Sequence, residues 1–129
     1  MRNYRDLQVW SKAHSLTLEL YKLSKNFSRD EIYGLTAQIR RAASSIGANL
    51  AEGCGRQSEN EMARFLRISL GSASELDYHL LLAHDLGLLK SEQYQHAATE
   101  LTRVRKMLRS LLTAIEENGK LKSKAAASS

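Results

Sequence analysis

The chain has no proline, a single cysteine and only 6% aromatic residues in 129 positions. Without proline, nothing covalent forces a long helix to break. A lone thiol, Cys54, cannot close an intrachain disulfide, and it fits a reducing compartment. The longest strictly apolar run, Leu80 to Ala83, is far too short to cross a bilayer, so no membrane segment is expected. The opening Met1-Arg2-Asn3-Tyr4-Arg5-Asp6 has basic character but no apolar h-region, which makes cytoplasmic residence the expectation.

Catalytic patterns are missing too. The run Gly53-Cys54-Gly55-Arg56-Gln57-Ser58 has the glycines of a phosphate-cradling loop, but it lacks a preceding strand and the Lys-Ser/Thr ending. Gly71-Ser72-Ala73-Ser74 lacks the strand-turn-helix setting of a nucleophile elbow. Cys54 has Arg56 nearby but no histidine close in sequence to act as its base, so it reads as a small residue filling a tight turn. Di-iron bundles use Glu-x-x-His pairs; here Glu75 and His79, and Glu92 and His96, stand four apart, and no Glu-x-x-His occurs. No enzyme activity, metal or cofactor is expected.

What is present is helical periodicity. Leu7, Trp10, Ala13, Leu16, Leu20 and Leu23 mark a first helix that Asp6 can cap. Ser28 and Glu31 form a capping box ahead of a second stripe, Ile32, Leu35, Ile39, Ala42, Ile46 and Leu50. The turn at Gly53 to Gln57 offers two glycines able to take positive φ, and Ser58 with Glu61 forms another capping box. Met62, Phe65, Leu66, Ser69, Ser72, Leu76, Leu80 and Ala83 form the third stripe, which Gly87 ends. Ser91 caps the fourth, running through Tyr94, Ala98, Leu101, Val104, Leu108, Leu112 and Ile115 to Gly119. Short connections between helices of about 25 residues predict an all-α, antiparallel up-down-up-down four-helix bundle over residues 1–119. The basic tail, 120–129, has lost the stripe and is expected to be disordered.

Asn49, Glu52, Ser72 and Glu75 fall on or beside the core stripes and read as a structural polar network, with the carboxylates paired to Arg40 or Arg41. The net charge of +5 favours polyanionic partners. Arg103, Lys106 and Arg109 recur every three residues with Arg105 beside them, while Arg40, Arg41, Arg56, Arg64 and Arg67 sit on the central hairpin. Together these nine are the candidate nucleic-acid-binding residues, since guanidinium forks match phosphate oxygens. A solvated helix face is the competing reading. Apolar residues wider than one seam, such as Leu16, Leu18 and Leu20, or Leu108, Leu111 and Leu112, leave area for subunit contact.

Four ordered blocks carry a family resemblance. They are Asp6-Leu7-x-Val9-Trp10-x-x-Ala13; Tyr33-Gly34-Leu35-x-x-Gln38-Ile39-Arg40-Arg41-Ala42-Ala43-x-Ser45-Ile46; Asn49-x-Ala51-Glu52-Gly53-x-Gly55-Arg56; and Phe65-Leu66-x-Ile68-x-x-Gly71-Ser72-x-x-Glu75-Leu76. From about Asp6 to Ile115 the chain resembles the four-helix bundle family of 23S rRNA intervening-sequence proteins. It departs at Ser28, where proline is expected, and at Gly47, where the family often has proline, so a straighter second helix is expected. Members are encoded inside insertions in bacterial large-subunit rRNA genes. The family is similar to the accessory variability protein of diversity-generating retroelements, a barrel-like homopentamer that binds nucleic acid together with a reverse transcriptase.

The resemblance implies a ring-shaped homo-oligomer, a pentamer, that binds nucleic acid, RNA in preference to DNA. A reverse transcriptase or a ribosome-associated component is the implied working partner. A protein-interaction scaffold without intrinsic nucleic-acid binding stays open as the alternative.

Overall fold

The computed structural model describes residues 2–128, and among them every regular element is helical. Four α-helices carry the fold: α1 (Gln8–Ser24), α2 (Ala37–Cys54), α3 (Glu59–Asp85) and α4 (Ser91–Ser128). α2 packs on α3, α3 on α4, and α1 completes the circuit by touching both α2 and α4, a four-helix bundle. The pairs Glu59–Asn118, Arg67–Glu116, Asp77–Arg105 and His84–Ser91 run up α3 as they run down α4.

The helices form where apolar residues recur at three and four. In α1 the buried Val9, Ala13, Leu16 and Leu20 share one face, as do Ala97, Leu101, Val104, Leu108 and Ile115 in α4. Leu50, Leu76, Leu80, Val104 and Leu108 are wholly enclosed, and each such side chain contributes about 1.5–3 kcal/mol. The small residues of α2 let two neighbours close in. A Cβ added at Gly47 would stand 3.3 Å from Trp10 Nε1 of α1, and one at Gly53 would stand 3.0 Å from Phe65 Cβ of α3. Hydroxyls tie the same helices together: Thr17 donates to the Ala43 carbonyl at 3.1 Å, and the enclosed Ser69 donates to the Ile46 carbonyl at 2.9 Å.

Several local expectations need correction. The second helix does not begin at Ser28: a 3-10 turn, Arg29–Glu31, and a π-helical turn, Ile32–Thr36, precede α2, which has 18 residues. The cause is Gly34, whose φ of −101° and ψ of −112° no helix accommodates. Ser28 makes no side-chain cap, and Glu31 instead accepts from the Leu35 N–H at 3.4 Å. Asp6 does not cap α1 either; it ends a 3-10 turn, and Leu7 occupies the N-cap with extended backbone and no side-chain bond.

The glycines of the central turn keep negative φ. α2 runs through Gly53 to Cys54, and the Gly55 N–H bonds the Ala51 and Glu52 carbonyls. Ser58 does cap α3, accepting from the Glu61 N–H at 3.1 Å. Gly87 is the one described residue with positive φ, and bonds from Gly87 N–H to His84 and from Leu88 N–H to Ala83 make the Schellman closure of α3. At α4 it is Gln93 that reaches back to the Lys90 N–H, while Ser91 turns its hydroxyl to His84.

The largest correction concerns the tail. Gly119 does not end α4; the helix continues to Ser128, and Ser129 lies outside the described residues. Lysine and alanine are good helix formers and no proline intervenes, so helix propagates over a segment whose side chains, from residue 120 to 128, are all exposed.

Candidate nucleic-acid interface

The nine candidate basic residues separate into three groups. Arg40 is fixed inside the α1–α2 seam: its Nε donates to Ser24 Oγ at 2.8 Å, Nη2 donates to the Tyr21 carbonyl at 3.2 Å, and the guanidinium lies 4.8 Å from the Tyr21 ring centroid. Five others face carboxylates. Arg41 bonds Glu75 and Gln38, Arg56 bonds Glu52 at 2.6 Å, Arg67 bonds Glu116 at 3.1 Å, Arg103 bonds Glu100 at 2.8 Å, and Arg105 lies 3.7 Å from Asp77. Arg64, Lys106 and Arg109 make no ion pair among the described residues, and Arg64 rests over Phe65 at 5.4 Å.

Pairing does not remove the second group from reach of a polyanion. The arginines at 41, 56, 67 and 103 keep 41–59% of their side chains exposed, and such surface pairs are worth roughly 0–1 kcal/mol. Phosphate can displace a carboxylate at that strength, since the bidentate fork is kept.

The free cations are better placed. On α4, Lys106, Arg109, Thr113, Glu117, Lys120 and Lys124 follow one another at three and four residues and so form one stripe on the exposed side. Four cations stand there against one carboxylate, Glu117, between Lys106 and Lys124, a rise of about 27 Å at 1.5 Å per residue. Lys120 and Lys124 join the site only because the helix continues beyond Gly119. Their four-residue spacing, in step with Lys106 and Arg109, was the signal for them in the sequence.

The expected polar network divides in two. At the α2–α3 contact, Asn49 Nδ2 donates to the Ser45 carbonyl at 2.9 Å and to Ser45 Oγ at 3.0 Å, and Ser45 Oγ meets Ser72 Oγ at 2.8 Å. Ser45, which in the sequence stands only as one position of a family block, is the hub. Glu52 and Glu75 lie apart from it, serving Arg56 and Arg41, with His79 Nε2 3.6 Å from Glu75.

Two titratable groups are shifted. A hydrogen bond from Arg2 holds the Glu59 carboxyl below the usual glutamate range; burial opposes this, and Asn118 and Lys122 reinforce it. Burial pushes the Cys54 thiol up, against a smaller opposing effect of Arg2. Cys54 is 1% exposed, so it has neither the access nor the thiolate character of a nucleophile. No described helix is long and apolar enough to cross a membrane.

The fold is shared with a solved structure from Bacteroides thetaiotaomicron VPI-5482, described as a protein with unknown function from the S23 ribosomal protein family. The two agree with a TM-score of 0.76 at 28% identity, over 81% of this chain and 95% of that one. A comparison with curated proteins gives no match. The sequence profile of the 23S rRNA-intervening sequence protein family matches residues 5–110, and the chain belongs to that family.

Proposed function

We propose that the protein is a noncatalytic nucleic-acid-binding component, taking RNA in preference to DNA, and that it works as a ring-shaped homo-oligomer of antiparallel up-down-up-down bundles. The observation that carries this is the α4 stripe: Lys106, Arg109, Lys120 and Lys124 are exposed, unpaired among the described residues, and aligned. Cations so arranged gain by replacing phosphate counterions and read no base sequence. The pairing along α3 and α4 supports the antiparallel arrangement. Leu18 at 50% exposure and Tyr78 at 60% supply apolar surface for subunit contact, and the pentamer follows from the family resemblance. Repetition of the stripe around a ring turns several weak contacts into one strong site.

The test is a salt series. Each phosphate neutralised contributes a slope of about 0.7–0.9 in log K against log salt, so four cations per protomer predict a slope near −3 for each engaged protomer. Structured RNA and duplex DNA of equal length are compared by fluorescence anisotropy, with light scattering reporting the assembly. Lys106→Glu with Arg109→Glu should abolish binding and leave the assembly intact. Absence of binding at low salt, or binding indifferent to salt, would leave the scaffold reading standing in its place.

A further inference from the structure

A cleft of about 530 Å³ opens where α1 ends and the irregular entry to α2 begins. That size lies within the ~300–1,000 Å³ typical of small-molecule sites. Its wall carries three cations, Lys25, Arg29 and Arg40, and no carboxylate. Neither Asp30 nor Glu31 lines the cleft, and the Glu31 carboxylate accepts from the Leu35 N–H at 3.4 Å.

Arg40 is the unusual member. A half-buried charge is normally met by an opposite one, yet Arg40 has only neutral partners, the Ser24 hydroxyl, the Tyr21 carbonyl and the Tyr21 ring. Those partners fix the guanidinium in place and leave Nη1 uncommitted among the described residues. A rigid arginine with a spare donor edge suits an anion, because little further entropy is lost on binding.

Thr36, four residues before Arg40, is 5% exposed, and its Oγ1 is buried with no hydrogen-bond partner among the described residues. Buried hydroxyls are almost always bonded, and this one belongs to a residue lining the same cleft. Besides Tyr21 and Ser24, which hold Arg40, the wall has an apolar side made by Phe27, half-buried, Ile32, 47% exposed, and Ala37.

We propose that this cleft binds a phosphate monoester: Arg40, Lys25 and Arg29 take the phosphate, Thr36 supplies a hydroxyl, and Phe27 and Ile32 contact the group that bears it. The phosphate comes from the 5′ end of an RNA or from a free mononucleotide. The site lies away from the α4 stripe and does not rest on it.

The experiment is calorimetry of the full chain with four probes: adenosine 5′-monophosphate, adenosine, and one short RNA carrying either a 5′-phosphate or a 5′-hydroxyl. At least one phosphorylated probe should bind tenfold or more tightly than its unphosphorylated counterpart. Preference for the mononucleotide identifies the free ligand as the source, and preference for the 5′-phosphorylated RNA identifies a strand end. Lys25→Glu with Arg29→Glu, both at exposed positions, should remove the phosphate preference.

Thr36→Val keeps the side-chain shape and deletes the orphaned hydroxyl. It should weaken the phosphorylated probe severalfold while thermal stability holds or rises, an outcome that a purely structural Thr36 would not produce. Lys106→Glu with Arg109→Glu, which removes RNA binding through the α4 stripe, should leave the preference for adenosine 5′-monophosphate over adenosine unchanged, so the two sites fail or stand independently. Equal binding of phosphorylated and unphosphorylated probes overturns the proposal, as does a phosphate preference that survives the cleft substitutions.

Discussion

Gly53 and Gly71 offer a matched pair of substitutions with opposite expected signs. Both glycines lie inside helices with negative φ, so alanine at either gains up to about 1 kcal/mol of intrinsic helix preference. At Gly71 nothing lies within 4 Å of the added Cβ, and the gain is realised in full. At Gly53 the added Cβ meets Phe65 Cβ at 3.0 Å, with the Met62 carbonyl oxygen and Sδ both at 3.5 Å. Carbon atoms prefer separations of ~3.5–4.0 Å. The obstructing atom is a Cβ fixed to the backbone of α3, so rotamer change cannot relieve the overlap and the two helices must part. Overpacking of this kind costs about 1–3 kcal/mol.

The two variants should therefore differ by about 1–3 kcal/mol, Gly71→Ala above the parent and Gly53→Ala at or below it. At roughly 4 °C per kcal/mol for a chain of this length, their melting temperatures should lie about 4–12 °C apart. Thermal unfolding followed by circular dichroism at one fixed protein concentration reads this directly, since assembly makes the midpoint concentration-dependent. If Gly53→Ala melts at or above Gly71→Ala, the close approach of α2 to α3 is not what the packing requires.

Other predictions concern buried and paired groups. Cys54 should not react with a thiol reagent in the folded protein and should react fully in denaturant, which absorbance of the released chromophore measures. The folded Glu59 pKa is depressed, so its contribution is complete above the ordinary glutamate value of ~4.3 and is lost as pH falls through its own lower value. Denaturant titrations of the parent and Glu59→Gln should therefore differ at neutral pH and converge in acid. Ser45→Ala should destabilise more than Ser72→Ala, itself about 0.5–1.5 kcal/mol, because Ser45 serves both Ser72 and Asn49; urea midpoints of the two variants decide the order.

The helices were legible because burial writes itself into three-and-four spacing, and Leu101, Val104 and Leu108 show this in α4. Gly87 was legible as a terminator because a Schellman turn needs positive φ. The entry to α2 was not, since Gly34 lies inside the apolar stripe of Ile32, Leu35 and Ile39, which continues across it, and a glycine within a stripe is compatible with helix. The tail was misread because loss of an apolar stripe shows that a helix has no partner to pack on, and says nothing of whether the backbone stops coiling.

At the interface, the residue types were visible and their availability was not. Arg67 meets Glu116 and Arg41 meets Glu75, partners 49 and 34 positions away that only the assembled bundle brings near. Lys106 and Arg109 differ from them in lacking such a neighbour, a property of the surroundings that no spacing within one helix encodes.

From residue 120 to 128 α4 is a rod of about 13 Å that buries no side chain. Its backbone amides share none of the cooperative protection of the bundle, so hydrogen exchange should read the chain as two clocks, a fast one in the arm and a slow one in the body. Contact with a polyanion that neutralises Lys120 and Lys124 would slow the first clock and leave the second unchanged.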